Sequence, residues 1–181
     1  TRATRTWGWA AAIDSNCAPP STAWSTAPPA PVLTTDATPN SPVQASVQTP
    51  VVANVSIQIQ DAFITPLAGY TQLNLMASIQ TQLPPGNPPP PPDNPYVATS
   101  RIDASVLPPG TTAATTLLEK NGVPVADCSV PNSVVANPDP CLAQRNDLSD
   151  GDLEFVVYTT SFSRFTFYFP SCRVAGGGTA P

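Results

Sequence analysis

Between Leu153 and Phe169 apolar and polar side chains alternate in two runs. Leu153, Phe155, Val157 and Thr159 alternate with Glu154, Val156 and Tyr158. Further on, Phe165, Phe167 and Phe169 alternate with Thr166 and Tyr168. Successive side chains of a strand point to opposite faces. The pattern therefore predicts two strands, each with one heavy apolar face, joined by a tight turn as a hairpin. Most of the six Phe fall in this stretch, which is expected at the centre of the core.

The same period recurs upstream. Val55, Ile57 and Ile59 alternate with Ser and Gln over 54–60. Leu73, Leu75, Ala77 and Ile79 alternate with Asn, Ser and Gln over 70–82. A further strand is expected over 96–106. Asn121-Gly122 separates two extended runs, 115–120 and 123–127, and both positions of such a turn need positive φ, so a hairpin is predicted there. No stretch shows the 3.6 period of an amphipathic helix. The expected class is all-β, an Ig-like antiparallel β-sandwich of about seven strands with an extended N-terminal strand and a Pro-rich arm.

That N-terminal strand carries Trp7, Trp9, Ala11 and Ile13 on one face. Residues 18–50 follow, rich in Pro, Ser, Thr and Ala. Proline fixes φ and lacks an N–H, so this stretch is expected to be an extended spacer holding no helix or central strand. Its composition also suits an O-glycosylated stalk. The expected division is 1–50 as strand plus arm, 51–172 as the sandwich and 173–181 as a Gly-rich tail. The two tryptophans need burial, either on their own domain or by adding a strand to a neighbouring subunit. The proline run of 83–95 is expected to project as a stiff connector.

Composition narrows the chemistry. Of 181 residues, 25 are Pro and only 10% are charged, with a net charge of -5. Lys120 is the one lysine and the six arginines are scattered, so the clustered positive charge that nucleic acid requires is missing. No apolar run approaches the roughly 18 residues of a membrane span. The start at Thr1 fits a processed secreted form.

Histidine is absent, which removes Ser-His-Asp and Cys-His catalysis. Ser-Lys chemistry would depend on Lys120, expected to be solvated beside its hairpin turn. Two glutamates, Glu119 and Glu154, accompany ten aspartates that mostly sit in turn contexts. No catalytic residue, no cofactor and no enzymatic activity are expected. Asp147, Asp150 and Asp152 are a calcium candidate, although aspartate beside glycine is ordinary turn chemistry and the spacing is not that of an EF-hand. Saccharide binding would call on Trp24, Tyr96 or Tyr158. Asn54-Val-Ser56 is the one glycosylation sequon.

Four cysteines lie at 17, 128, 141 and 172, without zinc spacings. Disulfides in an oxidising compartment are the better reading. Of three possible pairings, Cys128–Cys141 is favoured because both lie in one loop, whose closure contributes roughly 3 kcal/mol in the chain-entropy model. Cys17–Cys172 remains, within one chain or between two.

The segments Arg101-Ile-Asp-Ala-Ser-Val-Leu-Pro-Pro-Gly110, Lys120-Asn-Gly-Val-Pro-Val-Ala-Asp-Cys128, Pro138-Asp-Pro-Cys141 and Asp150-Gly-Asp152 resemble a recurring module. It is the β-sandwich found at the C-terminal ends of bacterial secreted and cell-surface proteins, and the likeness covers about residues 60–169. The resemblance carries no catalytic activity with it. The expected function is structural: a secreted, cell-surface, self-assembling subunit of a filament, sheath or layer, homo-oligomeric through its N-terminal arm. The alternative is a monomeric adhesion or glycan-binding module.

Overall fold

A computed structural model of the chain describes residues 21–24, 31–62, 67–130 and 133–171. It is an all-β sandwich of two six-stranded sheets. The first sheet runs, edge to edge, Ser21–Trp24 (β1), Asn54–Asp61 (β4), Tyr70–Gln82 (β5), Arg164–Pro170 (β12), Leu117–Lys120 (β7) and Val123–Pro124 (β8). The second runs Val32–Leu33 (β2), Val43–Gln48 (β3), Tyr96–Ile102 (β6), Leu153–Thr159 (β11), Cys141–Asp147 (β10) and Ala126–Asp127 (β9). Every pairing is antiparallel except β9 with β10, which is parallel.

The expected hairpin of 150–169 is not one. β11 and β12 lie in opposite sheets: β11 pairs with β6 and β10, β12 with β5 and β7. The physical reason is in the residues. Each strand carries a row too apolar to leave facing water, and placing the rows on opposed sheets lets each cover the other. Phe155 of β11 and Phe167 of β12 are both fully buried, and their rings meet at 5.4 Å between centroids, tilted by 43°. The connection, Thr160-Ser-Phe-Ser163, also lacks the Asn or Gly that a two-residue hairpin turn needs. It therefore arches between the sheets.

The arm needs a second correction. The stretch expected as spacer supplies β1, β2 and β3, and β3 lies between β2 and β6. Prolines stand at 31, 39, 42 and 50, around Val43–Gln48 and not within it. Val43, Ala45 and Val47 alternate inward and are essentially inaccessible. The sandwich thus begins well before residue 51. Twelve strands, several only two residues long, replace the expected seven among the described residues. The stretch after Cys141 forms β10 although Gln144, Arg145, Asn146 and Asp147 hide any apolar alternation.

One other expectation holds in the first sheet. β7 and β8 form the predicted hairpin, with Asn121 at φ 54° and Gly122 at φ 77°. The proline-rich connector does not simply project: Pro90 and Pro95 are buried, and the Pro92 carbonyl accepts a 2.7 Å bond from the Ala136 N–H. Among the described residues no helix is long and apolar enough to cross a membrane.

Candidate functional site

Three groups of polar residues are positioned by this frame. The first is the turn before β11. Asp152 is buried, and its two oxygens accept from the Arg101 Nε (2.8 Å) and the Ala104 N–H (2.9 Å). Asp150 accepts from Arg101 Nη2 and from the Asp152 N–H. Asp147 turns elsewhere and accepts from the Ala113 N–H at 2.7 Å. The hydrogen bond to Asp152 raises the Arg101 pKa above its ordinary value. A guanidinium thus stands where the calcium candidate would need its cation, and the three aspartates do not converge. Among the described residues no group of three or more His, Cys, Asp and Glu is placed to hold a metal. Gly151 has φ 92°, and a Cβ there would come within 3.3 Å of the Ala104 Cβ. The turn therefore requires glycine on conformational grounds.

Lys120 is the second group, and it is not the solvated lysine expected. Its position opposite Phe165 turns it toward the arch between the sheets. The Nζ donates to Thr159 Oγ1 (3.0 Å), the Ser161 carbonyl (2.6 Å) and Ser161 Oγ (3.1 Å). Asp139 accepts from the N–H and hydroxyl of Thr160, so the same arch is tied to the disulfide loop. The Thr160 and Ser161 N–H groups bond Asp139 and the Thr159 hydroxyl in turn. The group works as a clamp on the arch.

Burial lowers the Lys120 pKa from 10.5, with nearby Asp139 opposing the shift. In the unfolded chain the amine holds its proton up to about 10.5. Between the folded pKa and 10.5 the unfolded state binds more protons, so stability rises with pH across that window and is flat below it. Tyr96 has the opposite sign: burial raises its pKa from 10.0, so the unfolded chain ionises first and stability falls with pH above that value. Urea titrations at stepped alkaline pH should show the rise in the native protein and lose it in Lys120→Met. An unchanged rise in the variant would remove Lys120 as its source.

The third group lines a cleft at the β9–β10 end of the second sheet, beside the disulfide. Cys128 and Cys141 are bonded as expected. The cleft has a volume of about 330 Å³, and its lining includes Asp127, Ser133, Leu142, Gln144, Arg145 and Tyr158. Alternation along β11 puts Val157 and Thr159 in the interior and leaves Tyr158 half-exposed. Tyr158 stands in register with Cys141 on one side and Val97 on the other. Arg145 is held by Asp127 (3.2 Å) and by the carbonyls of Ala113 (3.2 Å) and Thr116 (2.7 Å). Of the three aromatics considered for saccharide, Tyr96 is buried against Phe162 and Tyr158 lines this cleft. The Trp24 side chain lies outside the described residues. Arg145, Gln144 and Asp127 had no signal in the sequence, because only the β9–β10–β11 register brings them together.

The remaining sequence candidates fall as follows. Cys17, Cys172 and the Trp7, Trp9, Ala11 and Ile13 strand lie outside the described residues. Asn54 opens β4, in register with Trp24 and Gln82, so its sequon sits in a strand paired on both sides. Its Oδ1 is buried without a hydrogen-bond partner.

The first sheet ends in a short edge. β1 has four residues against eight in β4, and its first residue, Ser21, pairs with Ile57. Gln58–Asp61 continue beyond it. In the sequence Ser21 follows Pro19-Pro20, and proline has no N–H to give to a ladder. Among the described residues only β1 and β5 pair with β4. The outer row of β4 and β5 is neutral and amide-rich, with Gln58 opposite Ser78 and Ser56 opposite Gln80. Comparisons of the chain with protein-family models, curated proteins and solved structures gave no match.

Proposed function

We propose that this is a non-enzymatic extracellular structural protein, a self-assembling subunit of a surface filament, sheath or layer. The N-terminal strand bearing Trp7, Trp9, Ala11 and Ile13 packs on the sheet of a neighbouring copy. The observation that carries the reading is the short β1 edge. Among the described residues β4 runs on past its last partner in β1, at Gln58–Asp61. An edge of this kind accepts a strand from elsewhere. The neutral amide row beside it presents both donors and acceptors without like-charge repulsion between copies. The disulfide fits an oxidising compartment.

Deleting residues 1–20 keeps β1 and tests the reading. The full chain should form polymers visible by negative-stain electron microscopy and sedimentation. The shortened chain should be monomeric with an unchanged melting temperature. A full chain that stays monomeric at high concentration would defeat the proposal. A second reading, a monomeric cell-surface adhesion or glycan-binding module, is favoured by the half-exposed Tyr158 beside the cleft.

A further inference from the structure

We infer that a cleft on the outer face of the first sheet binds a small zwitterion, an α-amino acid with an apolar side chain, its ammonium on Glu119 and its carboxylate on Arg164. The cleft has a volume of about 370 Å³, and its lining includes Met76, Glu119, Arg164, Thr166 and Tyr168. Register puts these side chains on one surface. Thr166 stands opposite Met76 on one side and Glu119 on the other. The core members of the same strands are Ala77, Leu118, Phe165 and Phe167, each next in sequence to a lining residue. Alternation therefore turns the lining away from the core. Met76 and Tyr168 are buried, yet neither belongs to the core cluster. The site uses no residue of the N-terminal strand, so it stands apart from the assembly reading.

Glu119 sets the charge of the group that enters. The residue is 9% exposed, and among the described residues its carboxylate has no hydrogen-bond or ion-pair partner. Its oxygens are not among the buried polar atoms sealed without a partner, so they open on the cleft. A carboxylate enclosed in this way has lost hydration, and a charged donor restores it. An ammonium brings three N–H donors, for Glu119 and for the Thr166 hydroxyl beside it. Arg164 is exposed and also has no ion-pair partner among the described residues. It lies on β12 two residues before Thr166, and so diagonal to Glu119. Diagonal neighbours stand roughly 7–8 Å apart, which leaves room between the two head groups for one ammonium and one carboxylate on a single small molecule. A lone cation meets Arg164 and a lone anion meets Glu119, whereas a zwitterion complements both. The planar guanidinium takes a carboxylate through two parallel N–H bonds. The adaptable Met76 thioether offers the contact for an apolar side chain.

The test is titration calorimetry of the full chain with L-leucine and with its two single-charge counterparts, isopentylamine and isocaproate. Leucine should bind, and each counterpart should bind about tenfold or more weakly by comparison. Glu119→Gln should weaken leucine binding about tenfold or more. The same variant should hold or raise the melting temperature, because it removes an enclosed charge that nothing pairs. Arg164→Ala should weaken binding several-fold at an unchanged melting temperature. Carbodiimide labelling of carboxyl groups in the unmodified protein, read by peptide mapping, should slow at Glu119 when leucine is present. That measurement does not depend on a variant folding. Isopentylamine binding as tightly as leucine would overturn the ligand class. Leucine binding that is the same in Glu119→Gln and leaves Glu119 labelling unchanged would overturn the site. No binding of leucine would overturn the inference and leave the assembly reading standing.

Discussion

Phe155→Ala should cost about 3–5 kcal/mol of stability, the range for emptying a buried aromatic site. Phe155 is fully buried and stacked at a tilt on Phe167 from the opposite sheet. The lost ring removes apolar burial from both sheets at once. The surrounding frame is two ladders held by their own hydrogen bonds, so it closes only partly around the space. For a chain of this size about 2–4 °C of melting temperature accompany each kcal/mol, so the midpoint should fall by roughly 10 °C. The neighbouring half-exposed Val156 points to the other face, and Val156→Ala should stay within about 0.5 kcal/mol. Calorimetry of the two variants checks the arrangement. Similar losses at both positions would mean that β11 is not oriented with Phe155 inward.

Asp152→Ala should be the next most damaging change, at about 2–4 kcal/mol. The carboxylate is buried and joins two distant parts of the chain, taking the Arg101 guanidinium and the Ala104 N–H. Removing it leaves a main-chain donor without its acceptor and an arginine without its better partner. The arginine side chain is 32% exposed, and water recovers part of its solvation, which keeps the loss below that of a fully buried pair. Asp152→Asn retains one acceptor oxygen and should lose less. Asp150→Ala should lose least, since its side chain is 54% exposed. Denaturation by urea should give the order Asp152→Ala, Asp152→Asn, Asp150→Ala. A reversed order would contradict a structural role for this turn.

The strands with the strongest alternation were legible because their apolar rows are unbroken. β4, β5, β11 and β12 belong to that set, and Asn121-Gly122 and the Cys128–Cys141 pair added two local constraints. Partners were less legible. Alternation says that Phe155 and Phe167 face a core, and it does not say whether their strands lie side by side or opposite each other. β3 was hidden by the prolines around it, since composition averaged over 18–50 outweighs six residues free of proline. β10 was hidden by its polar residues, whose pairing with β11 fixes it in the sheet. The sites suffered most. Arg101 and Asp152 are 51 positions apart, and Lys120 meets Ser161 across 41. Such pairings come from topology, which is why Asp147, Asp150 and Asp152 stood as a calcium candidate when Arg101 already pairs with two of them.

The central claim, that the N-terminal strand leaves its own sandwich for a neighbour's β4 edge, has a direct test. Light and isotopically heavy chains are mixed, assembled and cross-linked, and peptides containing residues 7–13 joined to Gln58–Asp61 are read by mass spectrometry. Exchange of arms between copies predicts light–heavy hybrids at close to the statistical proportion. Cross-links found only within light or only within heavy chains would place the strand on its own domain and contradict the account.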